Sequence, residues 1–385
     1  MASSAPPQPE TSPPPPARGR IGNFWLRVSE GRDIEDLWSQ FTADARSSYG
    51  FYGKDLDWDE INKLPGWKRP FRIARHMFWA MMNKLTPARR VLLLIALVLL
   101  VLSGITFQSG NETIEIRGEI FAALIFLLLL SLELADKVIM KRDLEIAREI
   151  QAWLVPSTPP AIPNADVAFY TRPQNSVAGD YYDAFYPTAD GANGGKLMLV
   201  MADVAGKSVP AALLMATLQA SLHTIASENL PLPELTNRLN LYACAHSLGG
   251  RRFTTAVLAE YDPASRRLTY VNAGHNAPVL RRANSNIERL ESSGLPLGIS
   301  SEVPYTSAET SLNPGDTLVL FTDGVVEAFN AAGQEFSDSR WVGVISGLPN
   351  LGAQQSLQFL MKNVEDFAGA TRQSDDITCL VLRCT

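Results

Sequence analysis

Hydrophobic and polar positions change rhythm several times along this chain of 385 residues. Residues 91–107 run without a charge, and residues 120–132 do so again, extending to Ala135 if Glu133 reaches an interface. A bilayer core takes about 20 apolar residues, with a range of about 17–25. Runs such as Leu92-Leu93-Leu94 and Leu127 to Leu130 leave no polar face of the kind a buried pair of soluble helices shows. The pattern predicts a transmembrane helical hairpin over residues 91–135, the alternative being a hairpin of core helices. Lysine and arginine dominate both flanks, eight of them in residues 63–90 without an acidic residue, then Lys137, Lys141 and Arg142. Glu112, Glu115 and Glu119 face Arg117 between the runs. The positive-inside rule then predicts a multi-pass protein of the inner (cytoplasmic) membrane with both termini in the cytoplasm.

Beyond the hairpin the rhythm turns helical. In residues 135–154, Ile139, Ile146, Ile150 and Trp153 recur at separations of 7, 4 and 3, an apolar stripe among charges. Pro156 and Pro159-Pro160 stop that helix. Later residues alternate apolar strands, at 166–172, 196–202, 317–321 and 377–382, with a helix from 210 to 221. At about 150 residues per domain the length allows one large domain and an appendage, or two modest domains. The organisation that follows is a proline-rich disordered tail (1–20), an aromatic and basic juxtamembrane region of no recognised type (21–90), the hairpin (91–135), a linker or regulatory helix (136–155) and a domain of alternating strands and helices with a core of its own (156–385).

Composition narrows the chemistry. The net charge of -6 and pI near 5.4 supply no overall basic field for nucleic acid. Aromatic residues interleave the basic stretch 63–90, but it abuts the apolar run, so it reads as an interfacial segment on anionic lipid. Cys244, Cys379 and Cys384 have no C-x-x-C spacing, and His76, His223, His246 and His275 form no H-x-x-x-H pair. Disulfide frameworks and ordinary zinc sites are excluded.

What remains is carboxylate. Asp203 closes an apolar strand before Ala205-Gly206, Asp323 closes another before Gly324, and Asp375-Asp376 opens a third. Each alone reads as a turn residue. Together, without histidine or cysteine partners, they are hard oxygen ligands suited to Mg²⁺ or Mn²⁺, whose paired form activates water for attack on phosphorus. Gly206-Lys207-Ser208 ends like a phosphate-binding P-loop, but Met201 stands where that motif needs glycine.

Eight stretches now carry a resemblance: Glu149-Ile150-Gln151 through Leu154-Val155-Pro156, Ala178-Gly179-Asp180-Tyr181-Tyr182-Asp183, Ala202-Asp203-Val204-Ala205-Gly206-Lys207, Pro210-Ala211-Ala212-Leu213-Leu214-Met215-Ala216, Asn272-Ala273-Gly274-His275-Asn276, Leu295-Pro296-Leu297-Gly298, Phe321-Thr322-Asp323-Gly324 and Asp375-Asp376-Ile377-Thr378. In order and spacing, residues 145–385 resemble the PPM-type (protein phosphatase type 2C superfamily) serine/threonine phosphatases. The branch is that of sporulation stage II protein E, which includes bacterial stress-response phosphatases acting on anti-sigma-factor antagonists. The resemblance implies an α-β-β-α sandwich, two antiparallel sheets flanked by helices, with two divalent cations, Mn²⁺ or Mg²⁺, at one edge. It implies that Asp203 bridges both, that the Val204 carbonyl adds a ligand, that Asp323 and Asp375 hold one ion, and that Asp180 orients water or binds directly. Asp376 stands where relatives have Asn or Asp. Ala178 departs from a glycine that many relatives carry.

Other residues have simpler readings. His275 could be a general acid but is read as holding a turn. Lys207 either meets substrate phosphate or caps a loop. Leu213, Leu214, Met215 and Leu218 are expected in the core. The stripe from 139 to 153 is expected to pair with a second chain, as a helix before the domain does in the branch, or else to pack on its own domain. The expectation is a membrane-anchored phosphatase of a phosphorylated cytoplasmic protein. A pseudophosphatase that only binds its partner and a small-molecule phosphohydrolase are the rival readings.

Overall fold

The computed structural model describes residues 38, 42, 65–103, 106–109, 112–115, 118–187, 195–247 and 251–385. The expectations for the tail, and for residues 21–64 apart from Trp38 and Thr42, lie outside them. The chain divides into two compact units, Met1–Ala135 and Asp136–Thr385.

In the first unit, α1 (Arg69–Lys84) and α2 (Pro87–Leu102) each start with proline in the first turn, where its missing N–H costs nothing. Arg90 donates from Nε to the Leu85 carbonyl at 2.8 Å and from Nη2 to the Asn83 carbonyl at 2.6 Å, satisfying acceptors that the end of α1 leaves open. A short antiparallel pair, β1 (Thr106–Ser109) and β2 (Glu112–Glu115), follows. Then α3 runs unbroken over Glu119–Leu154, 36 residues or about 54 Å. The sequence reading separated a second apolar span from a regulatory helix. They are one helix, since nothing between Ala135 and Lys141 breaks it. Glu133 does not point alone to an interface: it pairs with Arg89 Nη1 at 2.9 Å.

By length and hydropathy alone, the one helix among the described residues that qualifies as a membrane span is α4 (Val209–Ala226). It is a helix of the second unit, with Ala211, Met215, Leu218, Leu222 and Ala226 buried. α2 falls short in length at 16 residues. The expected transmembrane hairpin is thus not established by the helices themselves.

The second unit is two five-stranded antiparallel sheets packed face to face. Sheet one is ordered β10-β7-β6-β5-β4: Ala308–Ser311, Arg267–Ala273, Thr254–Asp262, Leu197–Val204 and Asp180–Phe185. Sheet two is ordered β3-β12-β11-β8-β9: Ala165–Arg172, Ile377–Cys384, Thr317–Phe321, Val279–Arg281 and Ile287–Arg289. Side chains alternate between faces with period 2. Tyr182, Leu199, Met201, Val257, Leu318, Leu320, Leu380 and Leu382 therefore meet between the sheets. The opposite faces are covered too. α4 and α5 (Leu232–Ala245) bury Met198, Val200, Ala202 and Leu258. α7 (Asp338–Ser346) and α8 (Ala353–Ala368) bury Val319, Phe321, Cys379 and Val381. Coverage on both faces is why β12 is buried at every position and reads as a continuous apolar run. The order helix, sheet, sheet, helix is the α/β sandwich expected. On α4, Met215 and Leu218 are core as expected, but Leu213 is 64 % exposed, because it lies on the face opposite the 211, 215, 218, 222 row.

Candidate active site

Antiparallel pairing decides which strand ends meet. β4 begins where β5 ends, so Asp180 is the direct cross-strand partner of Asp203. β11 ends where β12 begins, Phe321 pairing with Cys379, so Asp323 at the start of α6 (Asp323–Val326) comes beside Asp375-Asp376. These two ends lie on the same side of the sandwich, and hydrogen bonds join them. Thr322 and Thr378 of sheet two donate from Oγ1 to Asp180 Oδ2 of sheet one at 2.8 and 2.6 Å. In turn, Gln174 and Gly179 donate backbone N–H to Asp376 Oδ1 and Oδ2 at 2.6 and 2.7 Å.

The charges feel one another. Burial first, then Asp323, Asp375 and Asp376, push the Asp203 carboxyl up to about 7. Burial, with Asp203 adding, raises Asp180 well above the carboxylate range. Asp323 is raised by burial and then by Asp375, and Asp376 by burial despite its two amide bonds. A site that gathers this much negative charge in partial burial needs a counter-cation. Among the described residues no three acidic, histidine or cysteine side chains are arranged as a ready single-ion shell. The reason is visible in the bonds just given. Asp180 is turned to two hydroxyls, Asp376 to two amides, and Asp375 to Lys207 Nζ at 2.8 Å. The donor set still fits hard divalent cations in kind: all oxygen, several carboxylates, no thiol or imidazole.

Every residue expected at the site sits at this one edge: Asp180, Asp203, Val204, Asp323 and Asp375. Asp376 is also there, but both its oxygens hold the 174–179 loop, a positioning task the sequence did not show. Thr322 and Thr378 stood in the stretches that carried the resemblance but were given no role, their signal being only nearness to Asp323 and Asp376. Gly324 is obligatory by close approach, since a Cβ there would overlap the Asp376 carbonyl oxygen. Gln151 is a further supporting residue, bound twice to Ala178.

His275 is not placed to donate a proton to a substrate. It is 6 % exposed. Its Nε2 donates to the Phe321 carbonyl at 3.1 Å, and with the ring neutral its Nδ1 accepts from Thr255 Oγ1 at 2.8 Å. Its own N–H donates to Asn272 Oδ1 at 2.8 Å, closing the turn. Burial pulls its pKa down to about 4. The three cysteines carry no disulfide.

Comparison with known proteins agrees with this architecture. The chain is 28 % identical over 249 residues to phosphoserine phosphatase RsbU of Bacillus subtilis (strain 168), covering 63 % of this chain and 70 % of that protein. It is 27 % identical over 197 residues to phosphoserine phosphatase RsbP of the same organism, covering 50 % and 47 %. Among solved structures the SiaA-PP2C domain of Pseudomonas aeruginosa superposes with a TM-score of 0.57 at 20 % identity, over 65 % of this chain and 99 % of that one. Residues 193–385 match the model of the family described as stage II sporulation protein E (SpoIIE). Two antiparallel sheets with acidic strand ends gathered at one edge, in a chain half of which fits that model, make this protein a member of the SpoIIE family.

Proposed function

We propose that this protein is a Mn²⁺- or Mg²⁺-dependent protein phosphatase that removes phosphate from phosphoserine or phosphothreonine on a cytoplasmic signalling protein, an anti-sigma-factor antagonist being the class of substrate favoured. The observation that carries this is the convergence of Asp180, Asp203, Asp323 and Asp375 from both sheets at one edge, where His275 is locked as a neutral turn residue. The relatives named as phosphoserine phosphatases support the substrate class. Asp203, the Val204 carbonyl, Asp323 and Asp375, with Asp180, are the groups that would hold two cations. Bound there, such cations supply Lewis acidity and an activated water for in-line displacement at phosphorus. The chain's own contribution is to hold these oxygens. Thr322 and Thr378 orient Asp180, the 174–179 loop is pinned by Asp376, and Gly324 lets the Asp323 turn approach the strand beside it.

We further propose that the first unit anchors the enzyme in the inner membrane. Val91, Leu94, Ile95, Val98, Val101 and Leu102 of α2, and Ile120, Phe121, Leu124, Leu127, Leu128 and Leu130 of α3, are exposed apolar side chains that water does not favour. Trp67, Phe71 and Trp79 beside the basic residues fit a headgroup layer. An engineered cysteine at position 108 is expected to react with an impermeant reagent from outside only, and labelling from the cytoplasm alone would reverse the orientation.

The activity test is phosphate release by the full-length protein in nanodiscs from a phosphoserine peptide and from p-nitrophenyl phosphate, with and without Mn²⁺. Metal-dependent release from the peptide is expected. Release from the small ester alone would make the protein a small-molecule phosphohydrolase, and peptide binding without release a pseudophosphatase.

A further inference from the structure

Lys207 lies between two residues with positive φ, Gly206 at +117° and Ser208 at +65°. Ser208, with ψ at -148°, occupies a region that glycine adopts freely and serine does not. The loop therefore holds a conformation that its contacts must impose. Arg252 holds one side, its Nη1 donating to the Ala205 carbonyl at 3.4 Å. Lys207 imposes the other. It reaches from the end of β5 in sheet one to the approach of β12 in sheet two, with Nζ 2.8 Å from Asp375 Oδ2 and 2.9 Å from the Ser374 carbonyl oxygen.

We propose that Lys207 is the built-in counter-cation of the carboxylate cluster. It neutralises Asp375 and competes with a divalent cation for that carboxylate, so one of the two ions is held more weakly than the donor set alone would hold it. This rests on the reading that Asp203, Asp323 and Asp375 hold divalent cations. The ammonium spends two of its three donors on Asp375 and Ser374, which leaves little for a substrate phosphate. Its pair with Asp375 is only partly shielded, the side chains being 53 % and 31 % exposed, so the competition is one that a cation can win. A cation held by Asp375 would take the place of Nζ and free Lys207 from the turn that leads into α4.

The test is Mn²⁺ binding to the full-length protein, read from the free-ion EPR signal, for wild type, Lys207→Met and Lys207→Arg. In Lys207→Met the weaker dissociation constant is expected to fall about fivefold, the scale of a partly screened ion pair. Lys207→Arg, which keeps the charge, should stay close to wild type. Thermal unfolding supplies an independent readout: Lys207→Met should melt lower than wild type in chelator and gain more on adding Mn²⁺. If that variant does not stay folded in chelator, protein purified with Mn²⁺ should lose the ion to EDTA more slowly than wild type. An unchanged or larger dissociation constant in Lys207→Met overturns the proposal. So does a rise in KM for phosphopeptide with metal binding unchanged, since Lys207 would then be meeting substrate phosphate. Wild type that binds two ions while the variants do not differ sinks this proposal alone. Wild type that binds no Mn²⁺ sinks it together with the metal-dependent reading of the site.

Discussion

Gln151 closes both hydrogen bonds of its side-chain amide on a single residue, Ala178: Nε2 donates to the carbonyl at 2.7 Å and Oε1 accepts the N–H at 2.9 Å. The last turn of α3 is thereby fastened to the backbone two residues before Asp180. Gln151→Ala leaves that backbone pair without its partner. A loss of about 2 kcal/mol in urea unfolding is expected, at about 1 kcal/mol per bond, with a fall in kcat larger than any change in KM. Wild-type turnover in this variant would show that the fastening serves stability alone.

The carboxylates should separate by what each oxygen touches. Asp203→Asn removes charge from the centre of the cluster and is expected to lower Mn²⁺ affinity and turnover together. Asp375→Asn should do the same. Asp376→Asn differs, since one of its two acceptors becomes a donor facing the N–H of Gln174 or Gly179, and a cost of about 1–3 kcal/mol in stability is expected. Metal titration and denaturation of the three variants check this. An Asp376→Asn protein of wild-type stability would move Asp376 from positioning to ligation.

Gly324→Ala tests the close approach of the Asp323 turn to the segment before β12. The added methyl meets backbone, which cannot swing aside. Destabilisation of roughly 3 kcal/mol or more is expected, the range of severe core substitutions, with the melting temperature as readout. A soluble variant with an unchanged melting temperature would mean that the turn has room the structure does not show.

His275 predicts a direction with pH. Its pKa falls from 6.5 to about 4 on folding, so the unfolded chain binds the extra proton between those values. Its contribution is complete above pH 6.5, erodes as pH falls and is gone below about 4, at most roughly 3 kcal/mol in all. The difference in stability between wild type and His275→Gln should shrink over that window, which cancels the titration of the carboxylates. A difference independent of pH would contradict the buried neutral tautomer.

Among the described residues, nothing covers the stripe on α3. Ile139, Ile146, Ile150 and Trp153 are 59, 46, 49 and 82 % exposed, which argues against packing on its own domain. We propose that the stripe pairs with the same stripe of a second copy, so Ile146→Asp with Ile150→Asp is expected to break self-association, seen by light scattering in detergent, and to alter turnover. Glu145→Ala should change neither. A double variant that remains dimeric with wild-type turnover would make the helix a passive tether.

Residue order alone determined a good deal. The apolar runs, the helical stripe, the strands buried on both faces and the strand-end aspartates were legible because each is a local pattern with its own period. Asp180, Asp203, Asp323 and Asp375 were nameable because their motifs sit in short segments. Tertiary structure decided what those segments do to one another. Nothing in the spacing of Asp180 and Thr378, 198 positions apart, says that a hydroxyl of one sheet orients a carboxylate of the other. Nor could sequence show that Lys207 reaches Asp375 or that Asp376 spends both oxygens on backbone amides. Such facts depend on cross-strand register and on which strand ends share an edge, and those follow from the packing of two sheets rather than from local preference. The same reason explains the misreadings. Leu213 looked like core because its neighbours are, but one step along a helix turns a side chain by about 100°, and only the sheet beneath α4 says which side is buried.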